Sequence, residues 1–89
     1  MNHDQARDVV REAAQHVVPG ADFTGLAPGA NLRDAFEMDS LDFLEFVEEL
    51  ARLSGRELTE NDYPSLVTWE DCARLLESRE PAAHGTRSR

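Results

Sequence analysis

The stretch FEMDSLDFLEFVEELARLSG, Phe36–Gly55, carries the clearest helical pattern in the chain. At the helical step of ~100° per residue, one broad apolar face collects Phe43, Phe46, Val47, Leu50 and Leu53. Gly55 is a typical C-terminal stop, and Asp39 and Ser40 are residue types that cap helix starts. The stretch therefore predicts an amphipathic helix over Leu41–Ser54, with one side in a core and the other in solvent.

Two further long helices flank this one in the sequence. A narrow apolar face, made of Ala6, Val9, Val10, Ala13 and Val17, predicts a first helix. Asn2 or Asp4 is its expected cap, and Pro19-Gly20 is its expected stop. The box Thr68-Trp69-Glu70-Asp71 opens a last helix, whose inward face holds Trp69, Cys72, Ala73, Leu75 and Leu76.

Shorter elements connect the long helices. Thr59 to Tyr63 predicts one short turn, with Thr59 as cap, Asp62 in the box position and Pro64 limiting its length. The region 21–39 is rich in turn-forming residues but also carries the apolar anchors Phe23, Leu26, Leu32 and Phe36. Leu32 to Phe36 is able to form a further helical turn. With no apolar alternation typical of strands, we predict an all-α fold: a small four-helix bundle of three long helices and one short one, with a long first loop.

The composition restricts the class of protein. The 89 residues contain 18 acidic and 9 basic side chains, a formal net charge of −9, which argues against binding to nucleic acid or anionic membranes. One cysteine excludes an intramolecular disulfide, and neither a signal core nor a membrane span is visible. We expect a cytoplasmic monomer with one domain over residues 1–78 and a disordered tail over 79–89.

The sequence offers little for catalysis or metal binding. Ser40 lies in no GxSxG elbow, and the histidines His3, His16 and His84 give no support for a triad. The segment 34–45 has the length of a calcium loop, but it lacks two oxygen ligands and the central glycine. A lone Cys72 on an apolar face is a typical core residue. We therefore expect no catalytic residue, no metal site and no enzyme activity.

The outer side of the main helix is more informative. Leu41, Glu45, Glu48 and Arg52 fall on one exposed strip, with Asp42 and Glu49 beside it. An acidic strip is usually just a solvated surface, and a single exposed leucine is common. Here, however, the leucine directly follows Ser40. A modifiable hydroxyl, an apolar side chain and an acidic strip are thus expected within two helical turns.

The motif Asp39-Ser40-Leu41-Asp42 resembles the modification motif of acyl carrier proteins and the related peptidyl carriers, and the likeness extends over residues 4 to 78. The resemblance implies an acyl-carrier-like bundle with 4′-phosphopantetheine attached to Ser40. A separate transferase, using its own magnesium, would supply the group from coenzyme A. Asp39 would contact that transferase or its metal.

The resemblance also implies the role of the carrier. The arm would hold an acyl or aminoacyl group as a thioester for fatty-acid, polyketide or other specialised biosynthesis. Loading and processing enzymes with basic docking patches would recognise the partner-binding residues Leu41, Asp42, Glu45, Glu48 and Glu49. Phe43, Phe46, Val47 and Leu50 are candidates for lining an acyl-chain shelter, but their bulk is equally suited to a filled core.

The sequence departs from the family just before the motif. The family commonly has a leucine-glycine pair where this chain has Phe36-Glu37, followed by Met38. The departure suggests a specialised carrier, and neither cargo nor pathway follows from the sequence. The alternative is an unmodified acidic interaction domain, in which Ser40 is only a cap and Leu41 belongs to a permanent docking surface.

Overall fold

The computed structural model describes residues 1–78, and this part of the chain is all-α. The long helices are α1 (His3–Val17), α3 (Ser40–Ser54) and α4 (Trp69–Ser78). The short ones are α2 (Leu32–Ala35) and a 3₁₀ helix (Glu60–Ser65). The predicted small all-α fold is confirmed for this range, with two short helices in place of one and a single isolated bridge, Asn31 to Thr68, as its only strand-like pairing. The tail predicted over residues 79–89 lies outside the described residues.

The ends of the helices follow from local sequence. The Asn2 side chain caps α1 in a reciprocal box with Gln5. Thr68 Oγ1 accepts the N–H of Asp71 at 3.0 Å at the start of α4. Gly55 ends α3 in the left-handed conformation, with φ of 72°, which glycine adopts without steric cost. These caps agree with the sequence patterns.

The 3₁₀ helix is longer than the predicted turn. Asp62 accepts the N–H of Thr59 at 2.9 Å, as expected for the box position. The helix nevertheless continues through Pro64 to Ser65. Proline removes only its own N–H donor, and the turn is completed because Leu66 N–H donates to the Tyr63 carbonyl at 2.9 Å.

Helix α1 packs against both α3 and α4 around one core. The largest fully buried side chains come from all parts of this range and include Val10, Leu32, Phe46, Leu50, Leu66, Cys72 and Leu76. Each predicted inward residue of α4 is buried or packs against the core. Within residues 1–78, every helix lacks the length and apolarity needed to cross a membrane.

The long first loop is held against the bundle by aromatic and backbone contacts. The Phe23 ring lies between Phe36 and Trp69, with centroid distances of 5.0 and 4.8 Å. Leu32 N–H donates to the Val67 carbonyl at 2.9 Å, and Glu70 N–H donates to the Pro28 carbonyl at 3.0 Å. The loop and α2 are thereby fixed beside the start of α4, and this fixes the turn that leads into α3.

Candidate modification site at the start of α3

The turn between α2 and α3 contains an unusual backbone conformation. Phe36 is the C-cap of α2, and the next residue, Glu37, has φ of 54°. The Met38 N–H then donates to the Arg33 carbonyl at 2.9 Å, which is the long bond of a Schellman motif. Met38 is buried and anchors the turn. Glu37 therefore occupies the position where glycine is usual, with its side chain exposed.

The cap of α3 is Asp39. Its Oδ1 accepts the Asp42 N–H at 2.8 Å, and Asp42 Oδ2 accepts the Asp39 N–H at 3.4 Å. Ser40 is the first helical residue and is exposed. Its hydroxyl is not the group that caps the helix. The N–H groups of Ser40 and Leu41 lie in the first turn, where helix geometry provides no acceptor within the helix.

Leu41 lies on the exposed side of α3, as the helical periodicity predicts. Its side chain is 76% exposed, the largest value among the exposed large apolar residues of the described range. Leu44, one turn further along α3, is 43% exposed, and Val67, just before α4, is 36% exposed. Isolated exposed leucines are ordinary, but these exposed side chains come from the part of the fold that also presents Ser40.

The predicted acidic strip divides into two kinds of residue. Glu45 and Glu48 are exposed on α3, as expected. Asp42 is half-buried, and its carboxylate takes part in the cap. Asp42 thus has a structural role in addition to any role in docking.

Glu49 is much less exposed than Glu45 and Glu48. Its side chain is only 13% exposed, and its carboxylate contacts Arg52 at 2.6 Å and the His16 ring on α1 at 3.6 Å. The hydrogen bond from Arg52 lowers the pKa of Glu49 below its usual value, and charge attraction from Arg52 and His16 acts in the same direction, against a smaller opposing effect of burial. Glu49 therefore connects α1 and α3, and a partner reaching it would have to displace these contacts.

The four candidate cargo-lining residues all face inward. Phe46 and Leu50 are completely buried, and Val47 and Phe43 are 5% and 8% exposed. Phe43 also packs against Tyr63, with ring centroids 5.4 Å apart, and lies under the Arg33 guanidinium at 5.2 Å. Of the four, Phe43 also lines a groove at the surface.

This groove lies between the first half of α3 and the 3₁₀ helix and has a volume of about 610 Å³. Its lining includes Ser40 and Leu44 of α3, Asn31 and Arg33 from the start of α2, Glu60 and Tyr63 of the 3₁₀ helix, and Val67. Sequence reasoning missed the groove, because its residues are far apart in the chain. The periodicity of a single helix gives no signal for a groove formed between several elements.

Other reactive groups are separate from this site. Burial raises the pKa of the Cys72 thiol far above its usual value, as expected for a core cysteine. His3 contacts Glu77, and His16 contacts Glu49, at different places on the bundle. In the part of the chain that the structure describes, no three His, Cys, Asp or Glu side chains are grouped to hold a metal ion.

Comparison with known proteins adds no identification: no family model, curated protein or solved structure matched the chain.

Proposed function

We propose that the protein is an acyl carrier protein whose Ser40 receives 4′-phosphopantetheine. The observation that carries this proposal is that Asp39 provides the cap of α3, while Ser40 remains exposed with Leu41 beside it. A serine kept only for capping would use its side-chain oxygen as the acceptor. Here that task belongs to its neighbour, so the hydroxyl is accessible to an enzyme. The motif resemblance supplies the identity of the modification.

The residues present fit a phosphodiester in part. The first-turn N–H groups of α3 and the positive end of the helix dipole favour an anion at Ser40. Arg33 lines the same groove and adds a cation, whereas Glu60 in the same lining adds a negative charge that opposes an anion. Asp39 opposes an anion by charge, but its carboxylate is directed to the backbone N–H of Asp42.

The attachment is a phosphoryl-type transfer performed by another enzyme. The Ser40 oxygen forms a bond to the pantetheine-side phosphorus of coenzyme A, and the bond between that phosphorus and the pyrophosphate bridging oxygen breaks. The adenosine 3′,5′-bisphosphate half leaves with the electron pair, and the hydroxyl proton passes to a base of the transferase. Once attached, the arm presents a thiol that carries an acyl or aminoacyl group as a thioester.

The carrier itself catalyses nothing under this proposal. It is a cytoplasmic monomer with an acyl-carrier-like bundle, and it keeps an intermediate at high local concentration beside successive enzymes. Exposed Glu45 and Glu48 attract basic patches on these enzymes, and Leu41 supplies an apolar contact. Because Glu37 stands where the family commonly has glycine, we also propose that the carrier serves a specialised pathway.

The test uses purified apo-protein with coenzyme A, magnesium and a broad-specificity phosphopantetheinyl transferase. Intact mass should increase by one phosphopantetheine, and Ser40→Ala should show no increase. Ser54→Ala, at the other end of α3, is the matched control and should be modified normally. If several transferases leave the protein unmodified, the alternative of an unmodified acidic interaction domain is favoured.

A further inference from the structure

The left-handed turn before Ser40 is occupied by a residue type that this backbone conformation disfavours. Among residues 1–78, positive φ values occur at Gly25, Gly55 and Glu37, at 79°, 72° and 54°. Glycine adopts such values without steric cost, whereas a residue with a Cβ does not. The path of the chain alone would favour glycine here, so the glutamate side chain is the feature that needs an explanation.

The fold makes no use of the Glu37 side chain. It is exposed, and within the part of the chain that the structure describes its carboxylate has no hydrogen bond or ion pair. Arg33 is the nearest arginine in the sequence, but its Nε donates to the Met38 carbonyl at 3.5 Å and its guanidinium lies over the Phe43 ring at 5.2 Å. The Glu37 carboxylate is therefore free to contact another molecule.

The turn nevertheless holds Glu37 in a fixed position. The preceding Phe36 packs against Phe23, with ring centroids 5.0 Å apart, and the following Met38 is buried. The Met38 N–H completes the turn with a backbone hydrogen bond of 2.9 Å. Because both neighbours are anchored, the backbone of Glu37 has a set direction relative to Ser40. When a partner binds, only the glutamate side chain itself has to be ordered.

The position of the turn indicates which enzyme meets Glu37. An enzyme that acts on the Ser40 oxygen must bring its active site to the start of α3, beside the turn. An enzyme that acts on the thiol works at the far end of the arm. The exposed acids Glu45 and Glu48 lie further along α3, whereas Glu37 lies on the α2 side of Ser40. The transferase is therefore the partner that must approach this carboxylate.

We propose that Glu37 selects the transferase that modifies Ser40, by pairing with an arginine or lysine on that enzyme. This inference rests on the proposed modification of Ser40. The same carboxylate disfavours a transferase whose docking surface is acidic or closes tightly on the backbone of the turn. Specificity of this kind needs a penalty for the wrong partner as well as a contact for the right one. Glutamate is retained in the left-handed turn because its charge is recognised there.

The test measures kcat and KM for attachment of the arm by two enzymes, the transferase purified from the native host and a broad-specificity transferase. With the host enzyme, Glu37→Gln should raise KM several-fold and change kcat little, because the charge acts in docking. Glu37→Gly, which also removes the strained Cβ, should raise KM as much. Glu57→Gln is the matched control, since it removes an exposed carboxylate beyond the C-terminal end of α3, and it should keep the wild-type KM.

Salt and the choice of enzyme separate recognition of Glu37 from a general effect of charge. The increase in KM should shrink between about 0.01 and 0.1 M salt, as the screening length falls from ~30 Å to ~10 Å. The broad-specificity enzyme should respond less, so Glu37→Gln lowers the ratio of the two kcat/KM values several-fold. Equal losses with both enzymes, an equal effect of Glu57→Gln, or a wild-type KM for Glu37→Gly would each overturn the inference.

Intact mass and urea unfolding are recorded for every variant, so that loss of the fold is not mistaken for loss of recognition. A wild-type protein that neither transferase modifies contradicts the proposed function, and this inference with it. A wild-type protein that is modified at Ser40, while the Glu37 variants keep its KM, contradicts only the role of Glu37.

Discussion

Asp39 and Asp42 close the start of α3 by accepting each other's backbone N–H, at 2.8 Å to Asp39 Oδ1 and 3.4 Å to Asp42 Oδ2. This reciprocal box provides acceptors for backbone N–H groups that have no acceptor within the helix. The capping acceptor is therefore the Asp39 carboxylate and not the hydroxyl of the adjacent Ser40. Asp39 caps the helix, and Ser40 remains exposed.

The first prediction is that capping depends on Asp39 and not on Ser40. Asp39→Ala should lower the free energy of unfolding by about 1 kcal/mol, because an alanine cannot accept the Asp42 N–H. Ser40→Ala should change it by no more than about 0.5 kcal/mol. Urea unfolding of both variants gives the comparison.

Asp39→Asn is the informative control, since asparagine caps as well as aspartate. It should retain stability but slow modification if the Asp39 charge contacts the transferase or its metal. If Ser40→Ala destabilises the protein as much as Asp39→Ala does, the serine hydroxyl has a structural role. That result would weaken the assignment of Ser40 as the modified residue.

The second prediction concerns the left-handed backbone at Glu37. A residue with a Cβ is strained at a φ of 54°, and glycine is not. Glu37→Gly should therefore raise the free energy of unfolding by up to about 1 kcal/mol, less the entropy that glycine adds to the unfolded chain. Glu37→Ala keeps the strain and removes the charge, so it should show no comparable gain. If the two variants have the same stability, the turn is not strained at this residue.

The third prediction compares two leucines on α3. Leu41→Ala should change stability by no more than about 0.5 kcal/mol, because the side chain is 76% exposed. It should slow attachment of the arm, since a docking enzyme loses an apolar contact. Leu50→Ala, at a fully buried position, should cost about 2–5 kcal/mol. Thermal melting and modification rate are measured on the same samples, and a Leu41 variant that melts far lower yet is modified normally would place Leu41 in the core.

The fourth prediction follows from the lowered pKa of Glu49. A carboxyl whose pKa is lower in the folded protein than in the unfolded chain stabilises the fold at a pH above both values, and this contribution is lost as the pH falls through the folded pKa. Wild type should therefore lose more stability than Glu49→Gln between about pH 5 and pH 3. In an Arg52→Gln background the difference should shrink, because Arg52 is the main cause of the shift. Urea unfolding across this pH range tests the prediction. It is contradicted if Glu49→Gln reduces the acid-induced loss of stability as much in the Arg52→Gln background as in wild type.

The helical periodicity was enough to predict the long helices and the exposed position of Leu41, because burial on a helix repeats with its pitch. It was not enough for Glu49, which the same periodicity places beside the open strip. Its contact with His16 depends on how α1 crosses α3, and such packing is not encoded in the pattern of one helix. The Glu37 conformation was also hidden, since glutamate gives no local signal for a positive φ. The groove depends on residues from α2, α3, the 3₁₀ helix and the segment before α4, and it appears only once these are packed together.

Modification of Ser40 is tested most directly by the intact mass of the protein purified from its native host, followed by mass analysis of the peptide that contains Ser40. We expect a population carrying one 4′-phosphopantetheine on Ser40, free or acylated, and its absence from a Ser40→Ala protein expressed in the same host. A native protein that is fully unmodified at Ser40, under conditions in which the host modifies another carrier, would contradict the proposal that Ser40 carries this group.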